Sequence, residues 1–207
     1  MKVKVCGNTD PANARMIAEA SPDFMGFVFY GSSPRYVGDN PDPSLFTLPE
    51  GIDKIGVFVD EDPVSVIEIV AMYNLDYVQL HGTETPGYCE GLKLSGLKIL
   101  KAFGLCEYTD FEMYTSYMEV CDFFLFDRRT SKYGGSGEKF DWSILEKYKL
   151  DKPFFLGGGI GPGDASSIKG INNYRLVAAD INSRFETSPG IKDPAAVKRF
   201  IEELKNG

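Results

Sequence analysis

Residues 54–81, KIGVFVDEDPVSVIEIVAMYNLDYVQLH, carry the pattern that decides the fold class. Two short apolar segments, Lys54–Val59 and Tyr77–Leu80, are rich in β-branched and aromatic residues, which predicts strands. Between them, Pro63–Tyr73 has helical spacing and begins with proline, a residue favoured in the first turn of a helix. Strands joined through a helix need a crossover connection, so this unit predicts two parallel strands.

The alternation of strand and helix continues on both sides of this unit. Six further segments predict strands, namely Lys2–Cys6, Phe24–Phe29, Leu97–Phe103, Asp122–Asp127, Pro153–Leu156 and Leu176–Ile181. Helical spacing recurs in Pro11–Ala20, Pro86–Lys93, Trp142–Lys149 and Pro194–Leu204, and less regularly in Pro41–Leu48 and Tyr108–Glu119. Eight strands in 207 residues leave about 26 residues per unit, which suffices for a closed (βα)8 barrel, or TIM barrel. The alternative is a doubly wound open sheet, which usually has only about five or six strands.

The chain shows no sign of a division into domains. No linker rich in proline, glycine or serine separates two halves, and 43% of the residues are apolar, enough to form a full core. We therefore expect a single-domain α/β barrel, with residues 1–207 forming one catalytic domain.

Charge, cysteine spacing and hydropathy exclude several classes of protein. The net charge of −8 argues against a nucleic-acid partner, which would require clustered basic residues. The four cysteines form no CxxC pair, which fits a reducing cytoplasm. The first residues contain no apolar signal stretch, and no run approaches the roughly 18 apolar residues of a membrane span. We expect a cytoplasmic protein without a membrane segment.

Polar residues stand at the carboxyl ends of several predicted strands, where the active sites of these barrels lie. They are Cys6, Gln79, His81, Asp127, Asp180 and Asn182. Because side chains alternate across a strand, Lys4 shares a face with Cys6, and Gln79 shares one with His81. Each residue alone is compatible with a structural role, as a core thiol, a buried histidine or a helix cap. Together they predict a catalytic pocket, although a pocket that only binds a ligand has the same pattern.

Two segments indicate a binding site for an anion. Leu156–Ile160, with Gly158 and Gly159, ends strand seven, and Asp180–Ser183 ends strand eight. Barrels frequently bind phosphate at this position, through backbone N–H groups that glycine leaves accessible. Arg35, after strand two, is a candidate ligand for a second anionic group, or a solvated surface arginine.

The segment Arg128–Glu138 is rich in glycine and follows the sixth strand. Such a loop lies over the mouth of a barrel, and its glycines permit the backbone movement that a lid needs. A mobile lid and an ordinary flexible loop are both compatible with this composition.

Eight short motifs, in this order, resemble the phosphoribosylanthranilate isomerase family. They are Lys4-Val5-Cys6-Gly7; Gly26-Phe27-Val28-Phe29 followed by Ser33-Pro34-Arg35-Tyr36; Gly56-Val57-Phe58-Val59; Val78-Gln79-Leu80-His81-Gly82; Phe126-Asp127; Gly134-Gly135-Ser136-Gly137 with Phe140-Asp141-Trp142; Gly158-Gly159; and Pro189-Gly190-Ile191-Lys192-Asp193. The resemblance implies a (βα)8 barrel that rearranges N-(5-phosphoribosyl)anthranilate to 1-(o-carboxyphenylamino)-1-deoxyribulose 5-phosphate in tryptophan biosynthesis. It also implies that the phosphorylated small molecule is processed without a metal or an organic cofactor.

The resemblance implies a chemical role for two residues. Asp127 matches the general acid, which must be protonated to donate a proton to the ring oxygen, and Cys6 matches the general base that removes the C2′ proton. A free thiol has a pKa of about 8.5, so a nearby cation such as Lys4 would help to form the thiolate. We expect the pKa of Cys6 to be lowered and the pKa of Asp127 to be raised.

The remaining site residues have binding roles by the same resemblance. Arg35 would hold the anthranilate carboxylate. The phosphate end would be lined by Gly158, Gly159, Asp180, Asn182 and Ser183. Gln79 and His81 would line the pocket without an assigned chemical step.

Two residues depart from the family pattern. Asn8 replaces a residue that is usually aliphatic, and Arg184 replaces a common glycine next to the expected phosphate site. The side chain of Arg184 either turns inward to the phosphate or points outward and pairs with a carboxylate such as Glu186. We favour the outward orientation, since arginine is usually solvated.

The sequence leaves two alternative functions to be considered. A histidine-pathway sugar isomerase on the same fold would need aspartates at the ends of strands one and five, whereas this chain has Cys6 and no carboxylate in Leu97–Phe103. A catalytically silent barrel that binds a phosphorylated metabolite would not need both Cys6 and Asp127. The sequence does not distinguish a monomer from a homodimer, or show whether one substrate is used exclusively.

Overall fold

The computed structural model describes residues 1–128 and 141–206, and eight strands in this part of the chain close into a parallel barrel. These strands are β1 (Lys2–Val5), β2 (Phe24–Val28), β3 (Asp53–Phe58), β4 (Tyr77–Leu80), β5 (Ile99–Leu105), β6 (Phe123–Arg128), β7 (Phe154–Leu156) and β8 (Leu176–Ile181). Each strand pairs with the next along the chain, and β1 also pairs in parallel with β8, which closes the sheet. The predicted (βα)8 barrel is therefore confirmed, and the open sheet is excluded.

Five α-helices lie among the described residues: α1 (Pro11–Ala18), α2 (Pro63–Tyr73), α3 (Pro86–Leu94), α4 (Ala165–Lys169) and α5 (Pro194–Asn206). Asp10, Asp62 and Thr85 cap the first three by accepting backbone N–H hydrogen bonds, which is the usual function of these residue types before a first-turn proline. These boundaries agree with the sequence predictions to within two residues. The capping residues and the prolines therefore explain why the first residues of these helices could be predicted from the sequence.

Other segments differ from the predictions. The segments predicted as helical at Pro41–Leu48, Tyr108–Glu119 and Trp142–Lys149 form 3-10 helices at Pro43–Phe46, Phe111–Tyr117 and Trp142–Lys147. Helix α4 and a short antiparallel hairpin of β9 (Glu186–Ser188) and β10 (Ile191–Lys192) were not predicted. Both missed elements are too short to show a hydrophobic period.

Apolar side chains fill the lower part of the barrel interior. They are Phe24, Ile55, Leu100, Ala102, Leu125, Phe155 and Ala178, each at most 5% exposed. Because inward positions recur every second residue, Asp127 lies one inward step above Leu125 and Asp180 one step above Ala178. The apolar plug therefore closes the barrel from below and leaves polar side chains at the carboxyl end.

A buried ion pair fixes the loop that follows β4. Lys101 Nζ lies 3.0 Å from Glu84 Oε2, and the two side chains are 2% and 1% exposed. Lys101 also donates to the carbonyl oxygens of Leu80, Gly82 and Ala102, while Glu84 accepts the backbone N–H groups of Gly82 and Asp60. The loop that carries His81 is thus held from both of its sides.

Candidate active site

One pocket at the carboxyl ends of the strands brings together all ten predicted site residues. Its volume is about 820 Å³ including the open mouth. The ten residues in its lining are Cys6, Arg35, Gln79, His81, Asp127, Gly158, Gly159, Asp180, Asn182 and Ser183. The strand ends contributed by β1, β4, β6, β7 and β8 therefore converge as the barrel topology predicts.

Cys6 follows β1 and is confined from one side by β2. A Cβ atom on Gly26 would lie 2.7 Å from Cys6 Sγ, so only glycine leaves room for the thiol. Burial raises the pKa of the Cys6 thiol above its ordinary value, although the hydrogen bond and charge of Lys4 and the charge of Lys192 act in the opposite direction. The prediction of a lowered pKa for Cys6 is wrong, because the desolvation of the thiolate outweighs the nearby cations.

A chain of hydrogen bonds crosses the floor of the pocket from Lys4 to His81, which lies beside Asp127. Lys4 Nζ donates to Gln79 Oε1 at 2.6 Å and to both oxygens of Asp180 at 3.0 Å. An ammonium group can only donate, so the amide nitrogen of Gln79 faces His81 Nδ1, at 2.7 Å. His81 Nδ1 is then the acceptor, and Nε2 carries the proton and lies 3.6 Å from Asp127 Oδ2. Gln79 therefore sets the tautomer of His81 that faces the carboxyl group.

Arg35 is buried in the wall of the pocket, so its interpretation as a solvated surface arginine is wrong. Its Nε and Nη2 atoms donate to the two oxygens of Glu186 at 2.8 and 2.7 Å. Gly7 gives the side chain its path, since a Cβ atom there would lie 2.7 Å from Arg35 Cδ. Burial opposes the ionisation of Glu186, but the hydrogen bonds from Arg35 and Lys192 outweigh it and hold the pKa of this carboxyl below its ordinary value.

The residues predicted for the phosphate end line the same pocket. Gly158 and Gly159 have φ values of 83° and 74°, which glycine adopts without strain. Asn182 and Ser183 also belong to the lining of this cavity. The loop after β7 therefore has a backbone close enough to the pocket for an anion to approach it.

The structure shows what surrounds Asn8 and Arg184, the two residues that depart from the family pattern. Asn8 is 1% exposed, and its amide nitrogen donates to the carbonyl oxygens of Val5 and Gly26, which braces β1 against β2. Arg184 is exposed and its guanidinium runs beside Gly161, in the loop after β7. Glu186, the carboxylate that we named as its candidate partner, is held by Arg35 and Lys192 instead.

The sequence analysis missed some residues of the pocket and its wall. The lining also includes Val28, Tyr30, Ser33, Val57, Val59 and Ile160, which are mostly apolar. Lys192 and Glu186 support the wall behind Arg35. The β9–β10 hairpin that carries them is held against α1, because the backbone of Lys192 exchanges two hydrogen bonds with the side chain of Asn13. The apolar residues were ordinary strand residues in the sequence, while Lys192 stood in a motif of the resemblance without an assigned role.

Some predictions concern residues 129–140, which lie outside the described residues. They are the lid at Arg128–Glu138 and the motif residues Gly134–Gly137 and Phe140, and these stay predictions. Within 1–128 and 141–206, no group of three or more His, Cys, Asp or Glu residues is arranged to hold a metal ion. No helix in this part of the chain is both long and apolar enough to span a membrane.

A closed (βα)8 barrel with an acidic and a thiol side chain facing one pocket at the carboxyl ends of its strands defines a barrel enzyme. Comparison with known proteins specifies which one. The family model described as N-(5′-phosphoribosyl)anthranilate (PRA) isomerase matches residues 3–203. The chain therefore belongs to the N-(5′-phosphoribosyl)anthranilate isomerase family, whose members are isomerases of tryptophan biosynthesis.

Individual relatives support this assignment over the full length of the chain. N-(5′-phosphoribosyl)anthranilate isomerase of Phocaeicola vulgatus is 43% identical over 205 residues, which are 99% of this chain and 98% of the relative. The crystal structure of phosphoribosylanthranilate isomerase from Thermotoga maritima superimposes with a TM-score of 0.84 at 33% identity, covering 100% of both chains. A crystal structure of the enzyme with reduced 1-(o-carboxyphenylamino)-1-deoxyribulose 5-phosphate gives a TM-score of 0.82 at 30% identity, again covering 100% of both chains.

Proposed function

We propose that this protein converts N-(5-phosphoribosyl)anthranilate to 1-(o-carboxyphenylamino)-1-deoxyribulose 5-phosphate, an Amadori rearrangement in tryptophan biosynthesis. The observation that supports the proposal is the joint position of Cys6 and Asp127 in one pocket with Arg35 and the Gly158–Gly159 pair. An acid, a base and two anion-binding groups are what a substrate with a sugar, a carboxylate and a phosphate requires.

In the first step, the carboxyl group of Asp127 donates its proton to the ring oxygen of the sugar. The C1′–O bond breaks as the electron pair of the anilino nitrogen forms the C1′–N double bond, which gives an iminium ion. His81 lies beside Asp127, with Nε2 at 3.6 Å from Asp127 Oδ2. The Nε2–H group is placed to stabilise the carboxylate that the proton transfer leaves behind.

In the second step, the thiolate of Cys6 removes the C2′ proton, and the iminium ion becomes an enolamine. The enolamine then tautomerises to the aminoketone product. Solvent gives a proton back to Asp127 and takes up the proton that Cys6 removed. Because burial raises the pKa of Cys6, the thiolate is the minor form near neutral pH, and Lys4 and Lys192 stabilise it against the cost of burial. The reaction moves protons and breaks one C–O bond, so we propose that it uses no metal and no organic cofactor.

The two ends of the substrate have separate binding groups in this proposal. Arg35 binds the anthranilate carboxylate. The phosphate lies at the other end, close to Gly158, Gly159, Asp180, Asn182 and Ser183. The apolar side chains Val28, Val57 and Ile160 give the wall of the same pocket an apolar surface, against which an aromatic ring can pack.

We further propose that residues 1–207 act as one catalytic domain in the cytoplasm, with a phosphorylated small molecule as ligand and no nucleic-acid or membrane partner. The Thermotoga maritima relative is dimeric, and this chain is either a monomer or a homodimer. The histidine-pathway isomerase is disfavoured because β5, Ile99–Leu105, carries no carboxylate.

The test is the decay of fluorescence of freshly made N-(5-phosphoribosyl)anthranilate on addition of the purified protein. We expect decay well above the spontaneous rate, with the aminoketone phosphate identified by mass spectrometry and chromatography. A variant that combines Cys6→Ser with Asp127→Asn controls for contaminating activity. If the wild-type protein binds a product analogue but does not accelerate the decay, the protein is a silent barrel and not the isomerase.

A further inference from the structure

A cluster of three charged side chains stands behind one wall of the pocket. Arg35 is 8% exposed, Lys192 is 1% exposed, and the side chain of Glu186 is 5% exposed. Only Arg35 belongs to the lining of the pocket. The proposed function gives Arg35 a carboxylate to bind and Lys192 the stabilisation of the Cys6 thiolate, but it gives Glu186 no role.

Glu186 is bound too firmly to be displaced from Arg35 by a substrate carboxylate. Its oxygens accept hydrogen bonds from Arg35 Nε, from Arg35 Nη2, from Lys192 Nζ and from the backbone N–H of Gly190. Lys192 is anchored in turn, since it also donates to Asn182 Oδ1 at 2.6 Å. A substrate that displaced Glu186 would leave a buried carboxylate with fewer donors, which is costly.

The geometry of the guanidinium group leaves one edge available. Glu186 engages the edge formed by Nε and Nη2. Arginine has five N–H donors in a planar fork, so the edge formed by Nη1 and the second hydrogen of Nη2 remains for a second bidentate carboxylate.

The charges of the cluster explain why a lysine is present as well. Arg35 and Glu186 alone would sum to zero and would attract an anion weakly. Lys192 contributes a second positive charge behind Glu186, so the cluster carries a net charge of one positive unit beside the pocket. This local charge matters in a chain whose formal net charge is −8.

We propose that Glu186, fixed by Lys192 and Gly190, is a positioning residue that orients Arg35 and thereby determines specificity for substrates with an aryl carboxylate. The inference rests on the proposed function. Glu186 does not touch the substrate, and it acts by holding one edge of the guanidinium so that the other edge meets the carboxylate. The substrate class is an N-aryl ribosylamine 5-phosphate with a carboxylate ortho to the nitrogen.

The test compares the affinities of two stable ligands by titration calorimetry. The first is reduced 1-(o-carboxyphenylamino)-1-deoxyribulose 5-phosphate, and the second is the same molecule with hydrogen in place of the aryl carboxylate. The dissociation constant of the second ligand divided by that of the first is a ratio that measures recognition of the carboxylate alone. The variants are Glu186→Gln, which keeps the shape of the side chain, and Glu202→Gln, an exposed control with the same change of charge.

We expect Glu186→Gln to reduce this ratio by about tenfold or more while the affinity for the ligand without the carboxylate stays within about threefold of wild type. Glu202→Gln should leave both affinities unchanged. A general structural role for Glu186 would weaken both ligands equally and so leave the ratio unchanged, which would overturn the proposal. An increased ratio would also overturn it, because Glu186 would then be a competitor for Arg35.

Three further outcomes keep the experiment decisive. If Glu186→Gln does not fold, Glu186→Asp keeps the buried charge but is one methylene too short for all of its donors, and we expect the same loss of the ratio. If wild type binds neither ligand, the proposed function fails. If wild type binds both ligands equally, Arg35 does not recognise the carboxylate and the positioning role of Glu186 is refuted even though the pocket binds the sugar phosphate.

Discussion

Replacing Lys101 with methionine tests how far the buried pair Lys101–Glu84 stabilises the protein. Methionine keeps the length of the side chain but removes the ammonium group and its hydrogen bonds to Glu84, Leu80, Gly82 and Ala102. The carboxylate of Glu84, 1% exposed, would then lack its cation. Breaking a buried pair in this way costs about 3–5 kcal/mol.

The assay is urea unfolding, followed by the fluorescence of Trp142, the single tryptophan, and by far-ultraviolet circular dichroism. With a denaturant dependence of about 2 kcal/mol per molar urea, a loss of about 4 kcal/mol lowers the midpoint by about 2 M. The double variant Lys101→Met/Glu84→Gln provides the control, because it removes both charges and leaves no buried ion unpaired. We expect the double variant to be more stable than the single Lys101→Met variant.

The reasoning is refuted if Lys101→Met lowers the free energy of unfolding by less than about 1 kcal/mol, which is the size of effect typical of an exposed ion pair. It is also refuted if the double variant is less stable than the single one. Either result would mean that the loop after β4 does not depend on the pair.

Three further predictions concern the site. Cys6→Ser should lower turnover by at least about 10²-fold and leave the affinity for the reduced product analogue nearly unchanged, because a hydroxyl of much higher pKa cannot take the C2′ proton; near-normal turnover would remove Cys6 from the mechanism. For the wild type, kcat/KM should stay level from neutral pH into the alkaline range and fall only above the raised pKa of the Cys6 thiol, since below that pH each gain in thiolate is offset by an equal loss of protonated acid. A fall that begins near neutral pH would argue against a thiol base with a raised pKa. Asp127→Asn should be as damaging as Cys6→Ser, since an amide keeps the shape but cannot donate an acidic proton; a wild-type rate would place the acid elsewhere. Arg184→Gly should change inhibition by inorganic phosphate by less than about threefold, because the side chain is exposed, whereas a weakening of about tenfold would show that this arginine contacts the phosphate.

The sequence was sufficient for the barrel and for the pocket residues at the strand ends, because both follow from periodicity. Inward positions recur every second residue, so the pairs Lys4–Cys6 and Gln79–His81 could be assigned to one face without coordinates. The electrostatics of Cys6 could not be predicted, since the sign of the pKa shift depends on the balance between desolvation and two cations whose distances only the fold sets.

The partner of Arg35 could not be predicted from the sequence either. Glu186 lies 151 positions along the chain from Arg35, and the hairpin that brings it back contains strands of three and two residues. Strands of this length carry no readable alternation. The sequence analysis consequently gave Arg35 two alternatives, of which the structure excludes the solvated one.

The apolar plug of the lower barrel divides the inward positions of the strands into a buried set and a set that lines the pocket, and the two sets tolerate substitution differently. Leu125 and Ala178 are buried with it, whereas Asp127 and Asp180, two residues further along the same strands, line the pocket. Two residues of strand correspond to a height of about 6.6 Å. Laboratory evolution toward a new sugar phosphate can therefore vary the upper inward positions as a library of their own, while the residues two positions below are kept constant as the scaffold.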